Sequence, residues 1–320
     1  MNGSGPPRLG VGVVGAGRVG AVLGSALRAA GHPVVGVSAV SEGSRERAEV
    51  LLPGVPVLDV DEVVRRAELV LLTVPDDALG PLVTGLAELG AWQVGQLVVH
   101  TAGRYGVGVL APATAAGAIG LAIHPAMTFT GTSLDLSRLE ATTFAVTAPA
   151  PFGPIGQALV VELGGEPVLV DEGARGLYHA ALAHGANHLV VLVAQAAAAL
   201  AGAGVVDAGR ALRPLLDAAL DGALRSASPP GSTAVEVGAE QAGPGAIAAL
   251  TGPVRRGDAG TVAAHVAELT AWAARDGGVD VVETYRTLAR AATSRALAAG
   301  LLDEATAQRL LDSLRQEDGR

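Results

Sequence analysis

The stretch "LGVGVVGAGRVGAVLGSALRAAGHPVVGVSAV", residues 9–40, constrains this chain more than any other part of it. An apolar run at Val11–Val14 leads into Gly15-Ala16-Gly17-Arg18-Val19-Gly20. An Ala/Leu-rich helical stretch then ends at Gly31, and a second apolar run covers Val34–Val40. Strand, glycine turn, helix, strand is the context in which GxGxxG spacing becomes specific. Gly15 permits the tight turn, Gly17 lets the backbone approach a pyrophosphate, and Gly20 lets the helix pack on the strand. The diphosphate would sit on the helix N-terminus, whose unpaired N–H groups and dipole favour anions. Residues 15–20 are therefore the expected dinucleotide seat. The competing reading is a glycine-rich turn in some other α/β protein.

Further strands are expected at α/β spacing: 55–58, 69–74, 96–101, 119–124, 142–147 and 167–170. Helical stretches separate most of them, notably 76–89 and 151–163. Apolar strands alternating with helices imply a largely parallel sheet covered on both faces. After about residue 171 the pattern becomes long and alanine-rich, with almost no strand signal. Its chief interruption is the Gly/Pro/Ser-rich segment at 226–246. The expected architecture is α/β: a Rossmann-type, mostly parallel domain over residues 8–168, followed by an all-helical domain over 169–320. The chain shows no internal repeat.

Composition narrows the chemistry. The chain has no cysteine and no lysine, and all 22 basic residues are arginine. Thiolate metal sites, a cysteine nucleophile, Schiff-base chemistry and a lysine acid are therefore excluded. Any protein proton donor must be His, Tyr, Asp or Glu. A net charge of −9 argues against nonspecific nucleic-acid binding. No apolar run approaches the roughly 18 to 20 residues that span a bilayer. The opening "MNGSGPPRLG" lacks a signal-peptide pattern and reads as a short disordered lead. A soluble, cytoplasmic protein with no nucleic-acid or membrane partner is expected.

In NAD-preferring folds an acidic residue usually closes the second strand and binds the ribose 2′-hydroxyl. Here the tip reads Ser38, Ala39, Val40, Ser41, then Ser44 and Arg45, hydroxyls and an arginine that suit a 2′-phosphate. NADP(H) is the expected cofactor, with Arg18 a second phosphate or adenine contact. Glu42 is the counter-argument, as a displaced ribose ligand, and Arg45 and Arg47 also read as solvated charges opening a helix. Ligands in such sheets bind beyond the carboxyl ends of the strands. Thr73, Val74 and Pro75 end one strand, His100 and Thr101 the next, and His124 a third, so all are expected to line that rim, with Thr128 just beyond. Asp76 is expected to cap the following helix. His100 reads equally well as a strand-end histidine bonded to backbone.

The segment "YHAALAHGANH", residues 178–188, gathers three of the seven histidines. On a helical wheel at about 100° per residue, His184, Asn187, His188 and Gln195 share one polar arc. Leu182, Leu189, Val193 and Leu200 form an apolar stripe, with His179 beside it. A metal site at His184 and His188 would need a third ligand, and no HExxH glutamate or cysteine is present, so no metal is expected. The arc is instead expected to face a crevice between the domains, with His184 or Asn187 reaching substrate. Reducing a ketone creates an alkoxide that must be protonated or held by donors. His188 and His179 have an equally good reading as buried or interface polar residues. Downstream, Asp258 is placed to cap a helix starting near Ala259. Arg256, or Arg255, is a candidate for a substrate carboxylate, the alternative being a structural salt bridge.

Taken in order, Gly15–Gly20, Val74-Pro75-Asp76, His100-Thr101-Ala102-Gly103, His124-Pro125-x-x-Thr128-Phe129, Tyr178-His179, Asn187 and "LTGPVRRGD" (residues 250–258) resemble a known group. These are two-domain Rossmann-like proteins whose helical half is domain of unknown function 2520. The resemblance runs from about residue 8 to 300. More distantly the chain is similar to β-hydroxyacid dehydrogenases, ketopantoate reductases and pyrroline-5-carboxylate reductases, with a 6-phosphogluconate-dehydrogenase-like helical domain. The resemblance implies NADP binding, a homodimer through the helical domain and hydride transfer to a small substrate. Its most specific implication is 2-dehydropantoate (ketopantoate) reduction. An imine reductase of the pyrroline-carboxylate kind and a non-catalytic NADP(H)-binding regulatory module are the alternatives. On this reading His184, Asn187, His124 and His179 are the catalytic candidates, and His124, Thr128, Asn187, His188 and Arg256 the substrate contacts. Two departures stand out. Ala102 replaces a frequent serine, and Ala183 falls where the β-hydroxyacid dehydrogenases place a lysine.

Overall fold

The computed structural model describes residues 8–140, 142–227 and 244–315. The expected N-terminal lead up to residue 7 and most of the Gly/Pro/Ser-rich interruption lie outside the described residues. By contacts the chain divides into two units, residues 1–184 and 185–320.

The first unit runs β1 (Val11–Val14), α1 (Arg18–Ala29), β2 (Val34–Ser38), α2 (Glu42–Leu51), α3 (Val60–Arg66), β3 (Leu69–Leu72), α4 (Asp76–Glu88) and β4 (Leu97–His100). It continues α5 (Ala111–Ala115), β5 (Ile119–Pro125), α6 (Leu134–Leu139), β6 (Thr143–Thr147), α7 (Gly153–Glu162) and β7 (Glu166–Leu169). The strands form one seven-stranded sheet in the order β2-β1-β3-β4-β5-β6-β7. β5 and β6 pair antiparallel, and every other neighbouring pair is parallel. Strand side chains alternate between two buried layers, as a sheet covered on both faces requires. Leu69, Leu71, Leu97, Val99, Leu121 and Ile123 pack with Leu23, Leu27, Leu159 and Val160 of α1 and α7. Val70, Leu72 and Val98 pack on the other side with Val63, Val64, Leu79 and Val83 of α3 and α4.

One expected strand is absent. Residues 55–58 contribute a single bridge, Val37 to Val57, in place of a ladder. Val37 N–H donates to Pro56 O and Leu58 N–H to Val37 O. Pro56 has no N–H to extend the pairing. Asp76 does not cap α4 either: Pro75 occupies the N-cap and Asp76 begins the helix.

A long helix, α8 (Arg175–Gly202), contains the division between the units, later than the sequence boundary at residue 168. The second unit continues with α9 (Ala208–Ala227), α10 (Gly252–Arg256), α11 (Ala259–Asp276), α12 (Val279–Ala298) and α13 (Glu304–Ser313), around a core of Val254, Val262, Val266, Ala289, Leu310 and Leu314. As expected, Asp258 caps α11, accepting from Thr261 N–H at 3.0 Å. The absence of any membrane-length apolar run needs correction. Residues Glu172–Gly202 are long and apolar enough to cross a membrane, by length and composition only. Histidines and an asparagine break up this stretch to the eye, but they add no formal charge to offset its alanines and leucines.

Candidate functional site

The glycine turn has the geometry its spacing predicts. Gly15 adopts φ +96°, a left-handed conformation that suits glycine. A side chain on Gly20 would lie 2.2 Å from both Gly15 O and Thr73 Oγ1, so α1 approaches the turn only because residue 20 has none. At Gly17 a Cβ would meet nothing within 4 Å, and Gly17 is the N-cap of α1 with no side-chain cap. Space beside Gly17 and a helix start with no side-chain cap are features that fit a dinucleotide diphosphate. Two expected cofactor contacts serve the turn itself. Ser38 Oγ accepts from Gly15 N–H at 3.0 Å, and Thr73 Oγ1 donates to Gly15 O at 2.6 Å. Ala16 is buried, and its N–H donates to Ser38 O. Val19 packs against the core.

At the tip of β2, Ser41 caps α2 by accepting from Ser44 N–H. The Ser44 hydroxyl is turned inward onto Ser41 O at 2.7 Å. Arg45 is exposed, with Nε bonded at 3.3 Å to Ala39 O, the residue after the end of β2. A feature the sequence did not signal lies beside it. Gly131, at φ +82°, is packed so closely by Arg18 and Arg47 that a Cβ there would lie 2.9 Å from Arg18 Cγ and 3.0 Å from Arg47 Nε. The loop carrying Gly131 is anchored by buried Asp135, whose carboxylate accepts from Thr130 N–H, Thr130 Oγ1 and Gly131 N–H. Burial alone would raise the Asp135 pKa; these bonds and Arg138 outweigh it and hold the carboxyl below its ordinary range.

Beyond the carboxyl ends of β4 and β5 lies a second cluster. His100 is fully buried, with Nε2 2.8 Å from Gly106 O and Nδ1 accepting from Ala102 N–H at 3.2 Å. A carbonyl can only accept, so Nε2 carries the proton and the ring is neutral. Burial, with some help from Arg175, lowers its pKa to about 4. His100 therefore staples the 101–106 loop, and both ring nitrogens are used on backbone. Thr101 is tied back by its N–H to Leu72 O. Val74 packs into the core, Pro75 is exposed, and Thr128 is exposed just past β5.

His124 Nδ1 lies 2.9 Å from the Tyr178 hydroxyl, with the two rings edge-on at 85°. His179 stands edge-on to His124 at 88°, its Nδ1 buried and unpartnered. Both histidines crowd Gly103: a Cβ there would lie 2.3 Å from His179 Nδ1 and 3.0 Å from His124 Nε2. Arg175 is 1% exposed. Its guanidinium donates to three carbonyls, Tyr105 O at 2.9 Å and Ala145 O and Ala102 O at 3.4 Å, and lies 5.8 Å from the Tyr178 ring centroid. Burial, then Arg175, His179 and His100, bring the His124 pKa down to about 4. Burial raises the Tyr178 pKa against the opposing pull of Arg175. Glu172 completes the arrangement by accepting from Val107 N–H and Gly108 N–H at 2.7 and 3.0 Å. Neither Arg175 nor Glu172 stood out in the sequence; the available signal was a charged pair opening an otherwise apolar helix.

The polar arc expected on α8 is divided. His184, Asn187 and His188 are exposed, His184 ending the first unit and the other two opening the second. Gln195 is buried instead, with Nε2 bonded to Asp280 at 2.8 Å and Thr284 at 3.0 Å. Arg256 is exposed at the end of α10, and Arg255 donates to Leu301 O at 3.0 Å. Among the described residues no group of three or more His, Cys, Asp or Glu side chains could hold a metal ion.

Residues 2–125 match the Rossmann-like domain family, and residues 142–292 match domain of unknown function 2520. No curated protein matches the chain. Among solved structures it is similar to a Bacteroides fragilis protein designated an NADP oxidoreductase, at TM-score 0.66 and 21% identity over 89% of this chain and 98% of that one. It is also similar to an imine reductase from Myxococcus stipitatus in complex with NADP+, at TM-score 0.62 and 17% identity over 94% and 99% of the two chains. A reductive aminase from Aspergillus terreus, in complex with NADPH and ethyl-5-oxohexanoate, gives TM-score 0.62 and 16% identity over 97% and 100%. The chain thus belongs to the two-domain group that joins a Rossmann-like domain to domain of unknown function 2520.

Proposed function

We propose that this protein is an NADPH-dependent reductase of a small carbonyl acid, ketopantoate being the most specific candidate. The observation that carries the reading is the glycine turn. Gly17 opens onto the N-terminus of α1 while Gly20 packs against Gly15 and Thr73, the geometry a dinucleotide diphosphate needs. Solved proteins of the same fold are in complex with NADP+ or NADPH, which supports the same cofactor class here. Preference for NADP(H) over NAD(H) rests on Arg45 at the β2 tip and on Arg18 and Arg47 beside Gly131. The enzyme would act as a soluble cytoplasmic dimer.

A carbonyl substrate is favoured over an imine by Arg175. Among the described residues its bonds go to backbone carbonyls and none to a carboxylate. Its positive charge near His124 opposes an iminium cation and favours a developing alkoxide. The imine alternative draws its support from the similar imine reductase and reductive aminase.

The deciding experiment is NADPH oxidation measured against ketopantoate, other 2-ketoacids and cyclic imines. Turnover with ketopantoate is expected. Turnover of another compound in the panel without ketopantoate turnover would overturn the specific assignment. Tight NADPH binding with no turnover of any compound would favour a regulatory binding module instead.

A further inference from the structure

We propose that Tyr178 and His124 form a two-step proton relay, in which His124 protonates the substrate oxygen and Tyr178 replaces that proton, with Arg175 as the positioning residue. This rests on the reductase reading above and assigns its proton source, for which the sequence offered His184, Asn187, His124 and His179.

The argument begins with which atom holds which proton. Among the described residues the Tyr178 hydroxyl has one hydrogen-bond partner, His124 Nδ1. With no other partner for its hydrogen, the phenol O–H is satisfied only by donating to Nδ1, which then accepts. The His124 proton is then on Nε2. That edge faces Gly103, and any side chain at 103 would crowd it at 3.0 Å. His179 is not an equivalent donor from Nδ1, because that atom is sealed against Gly103. The groups facing His124 are Tyr178 and His179 from α8, His100 from β4, and Arg175. None of them is a carboxylate that would stabilise an imidazolium.

The step balances. When bound, a reduced nicotinamide would supply the hydride to the carbonyl carbon, leaving the carbonyl π pair on oxygen for the protein to protonate. His124 loses its Nε2 proton to that oxygen, forming the alcohol. His124 Nδ1 takes the Tyr178 proton, so the imidazole ends neutral in its other tautomer. The phenolate left on Tyr178 is stabilised by the charge of Arg175, whose Cζ lies 5.8 Å from the ring centroid, and regains a proton from water. Arg175 acts through the other two and does not touch substrate.

The relay can be tested in protein carrying 15N-labelled histidine, with and without substrate turnover. In the unliganded protein the His124 resonances should show Nε2 protonated and Nδ1 accepting a hydrogen bond. Tyr178→Phe should abolish the Nδ1 hydrogen-bond shift and lower kcat at least tenfold, with NADPH affinity unchanged. Arg175→Gln should move the His124 ring titration upward from about 4, while burial, the larger cause, keeps it below the ordinary histidine range. A wild-type His124 protonated at Nδ1 would overturn the relay. So would Tyr178→Phe turnover within twofold of wild type, which leaves the reductase reading standing. NADPH binding with no turnover of any carbonyl or imine would sink both.

Discussion

The Tyr178 hydroxyl, in the first turn of α8, stands 2.9 Å from Nδ1 of His124 at the end of β5. With Glu172 on the 107–108 N–H groups and Arg175 on three carbonyls, it ties the start of α8 to the sheet. This is why the first unit extends to His184 rather than ending with β7. The helix that looks like the opening of a second domain in sequence supplies the polar end of the first.

The glycine turn makes two opposite predictions. Gly20→Ala places a methyl 2.2 Å from Gly15 O and Thr73 Oγ1, so it should destabilise the protein by a few kcal/mol and lower its melting temperature. Gly17→Ala meets nothing within 4 Å and should leave melting nearly unchanged while weakening NADPH binding. Thermal melts beside calorimetric titration separate the two. Equal effects of both substitutions on melting would contradict the assigned roles.

Much of this first unit is legible in sequence because its signals are local. The apolar run at Val11–Val14, the glycine spacing and the later strands follow from period and from a glycine at a backbone geometry that other residues rarely adopt. What was not legible depends on partners distant in sequence. Residues 55–58 look like a strand, yet Pro56 limits them to one bridge. His100 read equally as a rim residue or as a backbone-bonded histidine, and only the 101–106 loop decides for the second, Gly106 and Ala102 taking both nitrogens. Gln195 shared a wheel arc with His184 and His188, but Asp280 and Thr284 lie far along the chain. A wheel finds a helix face without saying what covers it.

Arg45→Ala should weaken NADPH binding roughly tenfold or more and NADH binding far less, since a charge-assisted bond to phosphate is worth about 1.5 to 3 kcal/mol. Arg47→Ala should act in the same direction, because Arg47 packs with Arg18 on Gly131. Fluorescence titration with both nucleotides decides the matter. Equal losses for NADPH and NADH would remove the 2′-phosphate from this corner.

The helical unit predicts self-association. Val190 on α8 and Leu215 and Leu224 on α9 are 69%, 68% and 61% exposed. Covering such side chains with a second copy would remove apolar surface from water, the contact a homodimer through the helical domain calls for. Light scattering should give twice the chain mass. Val190→Asp with Leu215→Asp should shift that mass to the monomer without loss of helical signal, and a wild-type monomer at all concentrations would refute the dimer.

Stability should fall on acidification at a pH where carboxylates are still ionised. His100 titrates at about 4 when folded against 6.5 for an ordinary histidine, so between these limits the unfolded chain holds more protons. Folding stability from this group is therefore complete above about pH 6.5 and is lost as pH falls toward 4. At pH 5.5 the loss is about 1.4 kcal/mol for His100, and a similar amount is expected for His124. Urea denaturation at pH 7.5 and 5.5 measures the sum, and His124→Gln should halve the drop. A wild-type protein equally stable at the two pH values would show that these rings are not held neutral by their surroundings, and a drop unchanged in His124→Gln would place the titrating group elsewhere.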